Sequence, residues 1–104
     1  MREHIDDPVA EAVIRWRTAE QGGRRSGPPT APVYMATAVF APGDAHISVL
    51  IEQLDEREDG SRTCKIDFLV RELARPVLVP GAMMLVMEGP RVVAEAEVLV
   101  VRAG

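Results

Sequence analysis

The sequence predicts a small all-β domain, and three observations carry that expectation. Its eight prolines and eight glycines fall mostly between apolar segments, at Gly22-Gly23, Gly27-Pro28-Pro29, Pro32, Pro42-Gly43, Gly60, Pro76, Pro80-Gly81 and Gly89-Pro90. Several of the segments so bounded alternate apolar and polar residues, the period of a strand with one face buried. Two of the gaps, Asp59-Gly60 and Glu88-Gly89-Pro90-Arg91, are tight-turn signals. At 104 residues and 47% apolar composition, the chain is one domain with a single core.

The first segment reads two ways. Asp7-Pro8 resembles a helix start, and Val9, Ala12, Val13 and Trp16 fall at helical spacing. Ala12, Ile14, Trp16 and Thr18 also alternate with Val13, Arg15 and Arg17, which suits a half-exposed strand, so periodicity alone leaves residues 9–18 open. Residues 33–40 and 46–54 are strand candidates, the second with Ile47, Val49 and Ile51 on one face. After the charged turn at 55–61, Cys64, Ile66, Phe68 and Val70 alternate with Lys65, Asp67, Leu69 and Arg71, predicting a hairpin over 46–71. A last pair spans 83–88 and 91–102, with Val93, Ala94, Ala96, Val98 and Val100 as the apolar set of its second strand. The run Val98-Leu99-Val100-Val101 implies burial on both sides or an interface.

Composition excludes several function classes. No apolar run approaches the roughly 20 residues that span a bilayer. The charged start, Met1-Arg2-Glu3-His4-Ile5-Asp6-Asp7, lacks the apolar stretch of a secretory signal, so a cytoplasmic location is expected and His4 is expected in a frayed terminus. The single Cys64 excludes an intramolecular disulfide and a cysteine-rich zinc site. A net charge of -4 argues against broad attraction to a phosphate backbone. Eleven of the twelve basic residues are arginine, with Lys65 the lone lysine.

The two ends of the chain carry a resemblance. Ala10 to Arg24, A-E-A-V-I-R-W-R-T-A-E-Q-G-G-R, resembles the opening strand and Glu-Glu-Gly-Gly-Arg turn of the C-terminal domain of elongation factor Tu. Gly27-Pro28-Pro29 and Ala31-Pro32-Val33-Tyr34-Met35 stand where that family has a proline-containing loop and its next strand. Gly81 to Arg91 is similar to the family's strand, Glu-Gly-Gly turn and arginine without a gap. The resemblance covers residues 10–101 and is specific at its two ends. It implies a single six-stranded antiparallel β-barrel over residues 9–104, preceded by an N-terminal arm of residues 1–8, with residues 9–18 as a strand. The family's GTPase half is missing: no G-x-x-x-x-G-K-[ST] sequence is present, so no nucleotide is expected.

In that family the barrel helps hold aminoacyl-tRNA and the exchange factor, with the Gly-Gly-Arg and Arg-Pro-Gln loops on the tRNA side. Gly22, Gly23 and Arg24 match the first loop, whereas the second becomes Ala31-Pro32-Val33 and loses both polar side chains. The Glu-Gly-Gly-Arg turn becomes Glu88-Gly89-Pro90-Arg91, and two glycines of the last strand become Ala94 and Ala96. The resemblance thus implies a noncatalytic module for a protein or tRNA-like RNA partner.

Weighed as chemistry, the remaining residues point the same way. Asp44, His46 and Cys64 match no nucleophile spacing, and Cys64 reads as an inward strand residue. Asp6-Asp7 and Glu56 with Glu58-Asp59 read as solvated turns rather than an acid–base pair. Two distant histidines make no metal site, and no cofactor is expected. The one basic concentration is Arg15 and Arg17 on a strand face with Gly22, Gly23, Arg24 and Arg25 in the turn beyond, joined by Arg91 of the last turn, and it is the expected partner-binding set; Glu11 and Glu20 are its local counter-charges. Trp16 reads as core. A second expected contact is an interface, including a homodimer, through Met83 and Met87 or through Val98 and Val100.

Overall fold

The computed structural model describes residues 4–102; Met1 to Glu3 of the expected arm and the last two residues of the expected barrel lie outside the described residues. Six strands form, all in antiparallel pairs: β1 (Ala10–Trp16), β2 (Tyr34–Phe40), β3 (His46–Glu56), β4 (Arg62–Phe68), β5 (Met83–Glu88) and β6 (Arg91–Val101). They close in the order β1-β4-β3-β2-β5-β6, with β6 bonded back to β1. The chain is therefore the closed six-stranded barrel that was expected, and among the described residues no strand edge is left for edge-to-edge pairing.

Period-two alternation builds the core. Ala12 and Ile14 of β1, Ile47, Val49 and Ile51 of β3, Cys64 and Ile66 of β4, and Met84 and Val86 of β5 all point inward and are buried. Burial decides the open reading of residues 9–18 in favour of a strand: Ala12 and Ile14 are buried, Arg15 is exposed, and no helical stripe forms.

Two bulges in β6 break the alternation. Val86 pairs with Ala94 and Met87 with Val92, so Val93 is an extra residue, and Val93 and Ala94 are both buried. At the other end Ala12 pairs with Val98 and Glu11 with Val100, making Leu99 the extra residue. Leu99 and Val100 are consequently both exposed, whereas Val98 is 1% exposed and belongs to the core. The 98–101 run is thus not buried on both sides, and Val98 drops out of the expected interface set.

The β3–β4 hairpin ends earlier than its sequence pattern. Asp67 accepts from its own neighbour's amide, Phe68 N, at 2.8 Å and from Arg71 Nε at 2.9 Å. The Leu69 N–H still donates to Ser48 O at 3.2 Å; beyond it the chain leaves the sheet, Val70 is exposed, and Arg71–Ala74 form a single-turn helix, α1.

Strand order dictates what covers the barrel ends. In the ring, β1 lies opposite β2 and β4 lies opposite β5. Each of these connections must therefore cross a full barrel end, and the two cross opposite ends because neighbouring strands are antiparallel. Segment 69–82 plugs one end with Ala74 and Leu78, both buried in the core. Segment 17–33 spans the other, where Pro29 is buried and its carbonyl accepts from Gln53 Nε2 at 3.2 Å.

Residues 4–8 of the expected arm are pinned rather than frayed. Ile5 is 1% exposed, and its N–H donates to the buried Glu52 carboxylate at 2.7 Å. His4 Nδ1 lies 3.1 Å from the same carboxylate, Lys65 Nζ donates to Ile5 O at 3.3 Å, and Arg71 donates to Asp7 O at 2.7 Å. Burial raises the Glu52 pKa, but the Ile5 amide, His4 and Lys65 outweigh it and hold the carboxyl below its ordinary value. A depressed carboxylate stabilises the fold fully above the ordinary glutamate value, and that contribution is lost as pH falls through the lower folded value. The Ile5 amide is accordingly expected to lose hydrogen-exchange protection as pH falls through that window, before the barrel amides do. Protection that survives in Glu52→Gln with unchanged pH dependence would show that another group ties the arm.

Candidate functional site at the barrel mouth

The 17–33 crossover is built by local capping and then by long-range anchors. Thr18 caps a 3-10 turn over Ala19–Gln21 in a reciprocal capping box with Gln21. Gly22 leaves the turn at φ 88°, and the Gly23 N–H returns to Thr18 O at 2.8 Å. The backbone passes so close to β1 that a Cβ on Gly23 would lie 2.2 Å from Arg17 O.

Arg24 is placed by that turn against Tyr34. Its guanidinium lies 5.6 Å from the Tyr34 ring centroid, pairs with Glu88 at 2.9 Å and donates to Gly27 O at 2.8 Å. The Tyr34 hydroxyl donates to Glu88; burial first, and then this carboxylate, push the phenol pKa up. Trp16 meets Tyr34 edge-on at 5.5 Å and donates from Nε1 to Gln53 Oε1 at 2.8 Å. Trp16 is therefore only partly in the core and sits as a lid element, with its polar tip satisfied. An open cleft of about 390 Å³ lies beside it, lined by Trp16, Arg17, Arg24, Arg25, Pro28 and Arg62 among others.

The structure brings the predicted basic residues together at this end but also supplies their counter-charges. Arg15 pairs with Asp59 at 2.9 Å, Arg17 with Glu95 at 3.7 Å and Arg62 with Glu56 at 3.2 Å. Arg25 and Arg91 are exposed and carry no ion pair among the described residues. Glu11, expected to balance Arg15 and Arg17, bonds instead to Arg102 at the opposite end of β1. Gly23 and Arg24 thus have structural duties, and among the described residues the cations of this end that carry no ion pair are Arg25, Arg57 and Arg91. Sequence reading missed Tyr34, Gln53, Glu88 and Glu95. None has a local signal, since Tyr34 and Glu88 are 54 residues apart and Trp16 and Gln53 are 37 apart.

The opposite end has a different chemistry. Of the large apolar side chains exposed among the described residues, Leu69, Val70, Leu73, Val77 and Val79 lie on the 69–82 crossover, Met83, Leu99 and Val100 lie on the strand ends of β5 and β6 beside it, and Met35 and Leu54 lie elsewhere. Met83 is 44% exposed on the outer face of β5 and Met87 is half-buried on the same side, while Met84 is fully buried, as the strand period predicts.

The residues weighed for chemistry are kept apart. Cys64 is fully buried within the barrel, where burial pushes its thiol up to about 12, whereas Asp44 and His46 are exposed near the start of β3. Asp59 is exposed, and Ser61 and then Arg15 hold its carboxyl well below the usual range, the opposite of what a general acid needs. Among the described residues no cluster of His, Cys, Asp or Glu is arranged to hold a metal ion, and no helix is long and apolar enough to cross a membrane. No protein-family model, curated protein or solved structure matches this chain.

Proposed function

We propose that this chain is a noncatalytic binding module of the cytoplasm whose partner is a protein, and that the contact surface is the apolar barrel end. The observation that carries this reading is the concentration there of eight exposed Leu, Val and Met side chains. Exposed apolar residues concentrated at one end of a domain mark a contact surface. The mouth offers less: most of its arginines are already neutralised, so little cation density is left for a phosphate backbone, whose binding rests on several free cationic contacts.

We further propose a relation to the C-terminal barrel of elongation factor Tu. Its supports are the Gly22-Gly23-Arg24 turn, the Glu88-Gly89 and Arg91 positions of the last turn, and the closed six-stranded antiparallel barrel. The altered loop residues, Ala31-Pro32-Val33 and Pro90, fit a scaffold whose original contacts have changed.

The reading is tested by capture from an extract of the source cell on the immobilised chain. Wild type is expected to retain a protein that Leu73→Asp releases. Equal retention by the two forms would overturn the apolar end as the contact surface.

A further inference from the structure

We infer that the cleft at the barrel mouth is a binding site for a small organic phosphate, with the phosphate on its arginines and a flat apolar body against Trp16. The cleft measures about 390 Å³, within the roughly 300 to 1,000 Å³ of small-molecule sites. Its lining is opposite in sign to the chain as a whole. Arg17, Arg24, Arg25 and Arg62 stand there with a single carboxylate, Glu56, whereas the chain carries a net charge of -4. Arginine can take a phosphate through two parallel N–H donors, and four cations with one carboxylate suit a dianion better than a monocarboxylate.

The four arginines differ in what they have left to give. Arg24 is committed to Glu88, Gly27 O and the Tyr34 ring, so it supplies fixed positive charge. Arg25 is exposed and has no ion pair among the described residues. Arg17 reaches Glu95 only at 3.7 Å and Arg62 pairs with Glu56 at 3.2 Å, and all four of these side chains are at least a third exposed. Solvent-exposed pairs of this kind are weak, so an anion in the cleft can draw on Arg17, Arg25 and Arg62 without breaking a buried contact. These three satisfy one phosphate, whereas a nucleic-acid backbone needs a longer row of cations. Trp16 supplies the apolar part. Its Nε1 is satisfied by Gln53 Oε1 at 2.8 Å and its ring meets Tyr34 edge-on, so the indole is held in place and makes no polar demand on a ligand.

Trp16 is the only tryptophan of the chain, so its emission reports on the cleft. Titration of the purified chain with phenyl phosphate at low salt is expected to change that emission saturably, with half-saturation below about 1 mM. Phenol and inorganic phosphate each carry one half of the chemistry, and in competition with phenyl phosphate each is expected to bind at least about tenfold more weakly. Arg25→Gln, and independently Arg17→Gln, are expected to weaken phenyl phosphate by about fivefold or more with unchanged circular dichroism. Arg57→Gln removes an equally unpaired, exposed cation outside the cleft lining and is expected to bind as wild type does. No saturable response up to about 10 mM overturns the site. Phenol or inorganic phosphate binding as tightly as phenyl phosphate overturns the ligand class. A loss in Arg57→Gln as large as in Arg25→Gln overturns the cleft in favour of diffuse attraction.

Discussion

Replacing Gly23 with alanine is expected to destabilise the barrel by about 3 kcal/mol, lowering its melting temperature by more than about 10 °C. The added Cβ would sit 2.2 Å from Arg17 O and 2.6 Å from Arg17 C. Both are backbone atoms of the segment leaving β1, and Arg17 N is itself bonded to Val93 O at 2.9 Å, so they cannot yield without disturbing β6. Displacing the turn would also withdraw Arg24 from Tyr34 and Glu88, loosening the cover of the mouth. Gly22→Ala is the discriminating control. Open space surrounds that position and only its φ of 88° opposes a side chain, so the cost should be about 1 kcal/mol. Thermal melts of the two variants decide the matter. Equal shifts, or a larger one for Gly22→Ala, would show that Gly23 is kept for something other than close approach. Partner contact alone would leave the melting temperature of Gly23→Ala near wild type.

The strands were legible because each carries its own evidence: β3 alternates Ile47, Val49 and Ile51, and β5 and β6 flank a glycine turn. Gly22-Gly23-Arg24 was legible as a turn, but its reason was not. The reason is the backbone of Arg17 pressing from one side and Tyr34 and Glu88 waiting on the other, and distant partners leave no periodicity. The same limit hid the paired state of Arg15 and Arg17, whose carboxylates come from Asp59 and Glu95. It hid α1 as well, because Val70 prolongs the apolar pattern of β4 past Leu69, the last residue bonded to β3. Bulges are the remaining gap. Leu99 and Val100 belong to a run that reads either as buried on both sides or as an interface, and both stand outside in three dimensions because one extra residue changes the parity of the strand.

The 69–82 crossover should divide sharply into an inner and an outer face when it is probed with alanine. Leu78 is 4% exposed and closes the barrel end from within, so Leu78→Ala removes buried methyl groups and leaves a cavity that Ala74, fixed in α1, cannot fill. Leucine-to-alanine changes in such positions cost about 3 kcal/mol. Leu73 is 59% exposed, and Leu73→Ala should alter the stability of the monomer by no more than about 0.5 kcal/mol. Denaturant melts need dilute protein here, because a dimer that forms only from folded chains would add its own concentration-dependent stability to wild type. Comparable losses for the two variants would mean that Leu73 packs on the barrel and that the apolar end is core surface rather than contact surface. A loss at Leu78 alone assigns the two faces different work: one shuts the barrel, and the other is left exposed by a fold that gains nothing from it on its own.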